Sequence, residues 1–141
     1  GRWVDSEASE LDFSYRHSAF EENDACILGA VFHLEKGDPD AIKARMNELM
    51  AKRVEKQPLD KPSAGSTFKR PQGTFAALLI EQCGLKGYSC GAAQVSEKHS
   101  GFVINRGHAT FEDVMAVVNE VKRVVLEKKG VELECEMLIL Q

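Results

Sequence analysis

Between residues 110 and 129 the apolar positions recur with the period of a helix, and Val114, Val117, Val118, Val121, Val124 and Val125 fall on one stripe. Thr110 opens this element, with Asp113 three residues on in a capping-box spacing where Asp stands for the usual Glu or Gln. Lys128 and Lys129 suit the negative end of the helix, and Gly130 stops it. A second helical pattern runs from Pro39 through about Lys56, with Ile42, Met46, Leu49 and Met50 in phase. Asp38 can cap it, and Pro39 fits its first position. Residues 75–83 read as a short helix ended by Gly84.

The remaining apolar runs read as strands. Residues 25–34, with Ile27, Leu28, Val31 and Phe32, are continuously apolar, as in a strand buried on both faces. Residues 11–15 alternate as a strand or tight turn would, residues 86–95 suit a strand pair or a strand with a glycine kink, and residues 101–105 form another strand. Residues 131–140 alternate after the long helix. Residues 57–73, which hold Pro58, Pro62 and Pro71, read as a loop and a domain boundary. The order after residue 60 is helix, strands, helix, strand. This predicts an α+β fold, a mixed or antiparallel sheet with helices packed on it.

Composition narrows the function. With 43% hydrophobic and 28% charged residues, a chain of 141 residues can build an ordinary globular core. A net charge of −4 argues against a nucleic-acid partner, whose backbone demands a basic face. No apolar run approaches the ~20 residues that cross a bilayer, so no membrane partner is expected. Cys26, Cys83, Cys90 and Cys135 form no C-x-x-C pair and sit in apolar settings, which predicts reduced core cysteines and a cytoplasmic setting. The four histidines lack ligand spacing, so no metal is expected. Gly1 in place of Met points to a processed or truncated chain.

Candidate chemistry concentrates in Pro62-Ser63-Ala64-Gly65-Ser66-Thr67-Phe68-Lys69-Arg70-Pro71. Gly65 allows close backbone approach to a ligand, Ser66 offers a hydroxyl, and Lys69 and Arg70 offer charge for phosphate. A solvated turn bounded by prolines fits the same composition. The segment lacks the spacing of a P-loop or of a Gly-x-Ser-x-Gly elbow. A serine hydrolase with His99 or His108 as base lacks an identifiable third group or oxyanion hole.

In order along the chain, several segments resemble the UDP-N-acetylenolpyruvoylglucosamine reductase family. They are Asp12-Phe13-Ser14-Tyr15-Arg16-His17-Ser18, Gln57-Pro58-Leu59, the 62–71 decapeptide, Phe75-Ala76 with Leu79-Ile80-Glu81, and Cys83-Gly84-Leu85-Lys86-Gly87. Residues 94–102 (Gln94-Val95-Ser96-Glu97-Lys98-His99-Ser100-Gly101-Phe102) and Gly130-Val131-Glu132-Leu133-Glu134 continue the match, in the style of the subgroup without an inserted substrate-capping tyrosine loop. The resemblance implies a flavoenzyme with FAD and NADPH that reduces the enolpyruvyl group of a UDP-linked sugar, in peptidoglycan precursor synthesis. The reaction needs a cation for the enolate-like charge and an acid for the second carbon.

By the same resemblance Ser66 is the proton donor, Arg16 the charge-stabilising arginine, and Glu136 the carboxy-terminal glutamate of the site. A surface ion pair is the competing reading for Arg16, and an exposed acidic face the competing one for Glu136. Lys69, Arg70, Gln57 and His99 are candidates for contact with the UDP-sugar. Relatives commonly follow the glutamate with Val-Arg, where this chain has Met137-Leu138. The resemblance also implies that residues 1–60 are the remnant of a flavin-contacting domain and residues 61–141 the substrate domain. The flavin's phosphate-cradling glycines are not among these residues, so the length given is expected to be inactive alone. A nucleotide-sugar binding module without redox activity is the alternative.

Overall fold

The structure, a computed structural model, describes residues 1–14 and 17–140. The chain divides into two compact units, Gly1–Gly37 and Asp38–Gln141.

In the first unit, two single 3-10 turns, Ala8–Glu10 and Ala19–Glu21, flank an isolated bridge between Ser14 and His17. There Ser14 and His17 exchange backbone hydrogen bonds of 3.2 Å each. None of its described residues is buried. The strand expected over residues 25–34 does not form, and Val31 and Phe32 lie 102% and 78% exposed. A strand needs neighbours to take its N–H and C=O groups. Among the described residues, none pairs with residues 26–34. Cys26 is exposed with them, against the expectation of a core cysteine.

His17 adds electrostatic contacts to this bridge. Its Nδ1 lies 3.2 Å from a Glu21 carboxylate oxygen, and Nε2 lies 3.7 Å from Asp12. The hydrogen bond to Glu21 raises its pKa above the ordinary value of 6.5, with the charges of Glu21, Asp12 and Glu22 adding to it and partial desolvation opposing. A raised histidine pKa stabilises the bridge fully below about pH 6.5, and that contribution is lost as pH rises through the folded value. NMR titration should find a His17 midpoint above 6.5 that falls in Glu21→Gln. An unchanged midpoint in that variant would contradict the pairing.

The second unit opens with helix α1, Pro39–Lys56. It starts where the sequence places it, because the Asp38 carboxylate accepts from Asp40 N at 3.0 Å and Pro39 tolerates the first position. Its apolar stripe stays about half exposed, as at Ile42 (50%) and Leu49 (49%). Glu48 bridges Arg45 and Lys52 on its surface, and these hydrogen bonds, that to Lys52 first, lower its pKa.

Four antiparallel strands follow in the spatial order β1-β4-β3-β2: β1 Ser63–Ser66, β2 Ser89–Cys90, β3 Ala93–Val95 and β4 Phe102–Asn105. Helices α2, Ala76–Gln82, and α3, Phe111–Lys129, complete an α+β fold. Helix α3 packs along β2, β3 and β4, with α2 beside it. Its valine stripe makes the core: Val117, Val118, Val121 and Val125 are fully buried with Ile80 and Val95. The sequence expected both α2 and α3, and the β2–β3 hairpin realises the strand-pair alternative of the reading over residues 86–95.

The start and stop of α3 also hold. Asp113 N donates to Thr110 Oγ1 and Thr110 N to Asp113 Oδ2, both at 3.2 Å, while Gly130 ends the helix at φ +66°. Thr110→Ala should cost about 1 kcal/mol, read as a lower urea midpoint at unchanged slope.

Two segments depart from expectation. Residues 57–73 are not all loop, because Ser63–Ser66 pairs with β4 as an edge strand. Residues 131–140 give one bridge, Cys135 to Phe68, rather than a regular strand. That segment still packs, with Leu133 only 1% exposed.

Candidate functional site

Ser66 ends β1 at a bulge. Ser63 pairs with Ile104 and Ser66 with Phe102, so three steps along β1 oppose two along β4. Gly65 takes the extra residue at φ +81°, a conformation that L side chains resist. An added Cβ there meets nothing within 4 Å, so the demand for glycine comes from the backbone alone. The bulge leaves Ser66 exposed and turns the next residue, Thr67, fully inward.

Thr67 then anchors the segment. Its Oγ1 accepts from Val103 N at 3.1 Å and its N–H donates to Gly101 O at 2.9 Å. On the opposite side Glu136 N donates to Thr67 O, and Lys69 N to Glu134 O, both at 2.9 Å. Residues 67–69 are thus held between two stretches far away in sequence. Ser66, the turn before β4 and Glu136 are gathered around one three-residue span.

His99 belongs to that turn. Ser96 is buried, and its Oγ accepts from Lys98 N (3.1 Å) and His99 N (3.3 Å), folding the turn back on itself. The imidazole is half buried, edge-on to the Phe102 ring with centroids 4.9 Å apart. Its Nδ1 accepts from Gly101 N at 3.2 Å.

Lys69 reaches back to Glu134 at 3.1 Å, with both side chains more than half exposed. Such a pair contributes about 1 kcal/mol or less, so it can exchange Glu134 for a phosphate. The Arg70 guanidinium lies 4.1 Å from the Phe75 ring centroid, and its Nε donates to Thr74 O at 3.4 Å. Stacking orients the guanidinium while leaving in-plane N–H groups for an anion. A groove of about 470 Å³ runs beside both, lined by Lys69, Arg70, Pro71 and Gln72 and by Gly130, Val131, Glu132 and Glu134.

Gln57 sits at the carboxy-terminal cap of α1, where its Oε1 accepts from Arg53 Nε at 3.1 Å, and the same end of α1 reaches the His99 turn through Lys98 Nζ, which donates to Val54 O at 2.6 Å. Glu136 is half buried, in contrast to exposed Glu134. Arg16 lies outside the described residues. Sequence reasoning passed over Thr67, Ser96 and Gly101, all buried and all holding the span or its turn. Ser96 carried a signal, since it is a small hydroxyl residue at the end of an apolar run, where local side-chain-to-backbone bonds end the regular pattern, whereas the Thr67 hydroxyl bonds to Val103, 36 residues away.

The sequence pattern of the UDP-N-acetylenolpyruvoylglucosamine reductase carboxy-terminal domain matches residues 57–140. The chain belongs to this reductase family. The match takes in every candidate residue but Arg16. The reductase of Clostridium novyi is 54% identical over 140 residues, 99% of this chain and 46% of the relative. That of Caldanaerobacter subterraneus subsp. tengcongensis is 56% identical over 131 residues, covering 93% and 43%. The crystal structure of UDP-N-acetylenolpyruvylglucosamine reductase from Thermus caldophilus superposes with a TM-score of 0.67 at 34% identity, over 91% of this chain and 46% of that one. The chain therefore spans about half the length of the reductases it matches. Among the described residues, no helix is long and apolar enough to cross a membrane.

Proposed function

We propose that this chain supplies the substrate side of an NADPH- and FAD-dependent reductase that converts UDP-N-acetylglucosamine-enolpyruvate to UDP-N-acetylmuramate. The observation that carries the proposal is the clamping of residues 67–69 between Gly101–Val103 and Glu134–Glu136, within a chain of the reductase family.

The described residues do not by themselves fit a flavin. Residues 1–14 and 17–37 bury no side chain, and an isoalloxazine ring needs an apolar wall that excludes water. Residues 1–60 form part of the flavin-contacting domain, whose cofactor pocket the rest of the full-length protein completes. When bound in the full-length protein, the flavin supplies the hydride.

What remains for this chain is charge and a proton. Ser66 Oγ–H protonates the second alkene carbon, its weak acidity offset by the basicity of an enolate-like carbanion. Arg16 holds the carboxylate into which the charge spreads, by two hydrogen bonds from a guanidinium that keeps its charge. Glu136 orients that same region. Lys69 and Arg70 hold the diphosphate along the groove, with His99 and Gln57 as further contacts. Precursor synthesis for peptidoglycan places the enzyme in the cytoplasm.

The test is an assay of full-length protein for NADPH oxidation on addition of the enolpyruvyl UDP-sugar. Substrate-dependent oxidation supports the reading. Tight UDP-sugar binding without oxidation would replace it with a binding module.

A further inference from the structure

We propose that Gly101 is a positioning residue that presets the His99 imidazole as a hydrogen-bond donor toward an anionic oxygen of the substrate. The inference rests on the reading above and deepens it.

Gly101 N–H points at His99 Nδ1 from 3.2 Å, and an N–H can be accepted there only by an unprotonated nitrogen. The proton of the neutral ring therefore sits on Nε2. The backbone of His99 is fixed on both sides, its amide N–H donating to Ser96 Oγ at 3.3 Å and its carbonyl accepting from Phe102 N at 3.0 Å, and the ring itself meets the Phe102 ring edge-on at 74°. Glycine at 101 also leaves the ring its room. A Cβ would lie 3.1 Å from His99 Cε1, 3.2 Å from Nδ1 and 3.4 Å from Ala77 Cβ, pressing the ring away from the donor that sets its tautomer. Phe102, the pairing partner of Ser66, places this ring one strand away from the proposed proton donor.

A ring so arranged cannot act as a base through Nδ1. It offers one donor, Nε2–H, which suits a carboxylate or phosphate oxygen. Glutamine reaches about as far as Nε2 and can donate there, whereas asparagine is too short and mimics the Nδ1 position.

The experiment uses full-length protein. Long-range proton–nitrogen NMR in alkaline buffer, where imidazoles are neutral, should show His99 as the Nε2–H tautomer, and Gly101→Ala should mix the tautomers. His99→Ala should raise KM about tenfold with kcat little changed, from loss of one bond to a charged oxygen. His99→Gln should restore KM, and His99→Asn should not. Weaker binding of UDP alone in His99→Ala assigns the oxygen to phosphate, and unchanged UDP binding to the carboxylate. An Nδ1–H tautomer in the parent protein, or His99→Gln behaving like His99→Ala, would overturn the proposal. If Gly101→Ala does not fold, the three His99 variants decide. Failure of NADPH oxidation overturns the reductase reading, while the imidazole spectrum still decides the tautomer.

Discussion

Ser66→Ala in the full-length protein should lower turnover of the enolpyruvyl UDP-sugar by roughly 10²–10⁴-fold, the usual contribution of a positioned acid. Stability should hardly move. Ser66 is exposed, and the bonds that hold the span belong to its neighbours Thr67 and Lys69. Substrate affinity should also survive, because the cations proposed to grip the diphosphate are untouched. Ser66→Cys keeps a proton of comparable reach and should retain more activity than alanine. A stable, fully active alanine variant would remove Ser66 from the chemistry.

Gly91→Ala should be the most damaging single-methyl change in the fold. Gly91 turns the β2–β3 hairpin at φ +53°, and a Cβ there would collide with the Asp113 carboxylate. That carboxylate accepts from Ala92 N at 3.3 Å and Thr110 N at 3.2 Å, so it ties the hairpin to the start of α3. Moving it strands two N–H groups and adds left-handed strain, about 2–4 kcal/mol together. Gly130→Ala is the control. Its φ of +66° demands glycine as strongly, but a Cβ there meets nothing within 4 Å, so the cost should stay near 1 kcal/mol. Urea midpoints of the two variants decide. Equal losses would show that strain alone matters and that the Asp113 contact does not.

The helices were legible because their determinants are local. Asp38 and Pro39, Thr110 and Asp113, Gly130 and the valine stripe of α3 all act within a few residues. Pairing is different. The apolar run at 25–34 has the composition of a strand, yet composition cannot supply a neighbour, and the run stays exposed. The edge strand Ser63–Ser66 was hidden by the Pro62 before it and the Gly65 within it, and its pairing partner lies some 40 residues away in β4. The site divides the same way. Resemblance to the reductase family named Ser66, Glu136, Lys69 and Arg70. No local pattern could show that residues 67–69 are gripped from both sides, or that Gly101 and His99 are bonded through the ring. Gln57 illustrates the limit, since its place at the end of α1 follows from the helix, not from the site.

The most direct test of the account separates the two half-reactions in full-length Ser66→Ala by stopped-flow absorbance of the flavin. Reduction by NADPH should proceed at the parent rate, while reoxidation by the enolpyruvyl UDP-sugar should slow by the same roughly 10²–10⁴-fold. Parent-rate reoxidation, or a loss confined to the NADPH step, would contradict the claim that this chain delivers the substrate's proton.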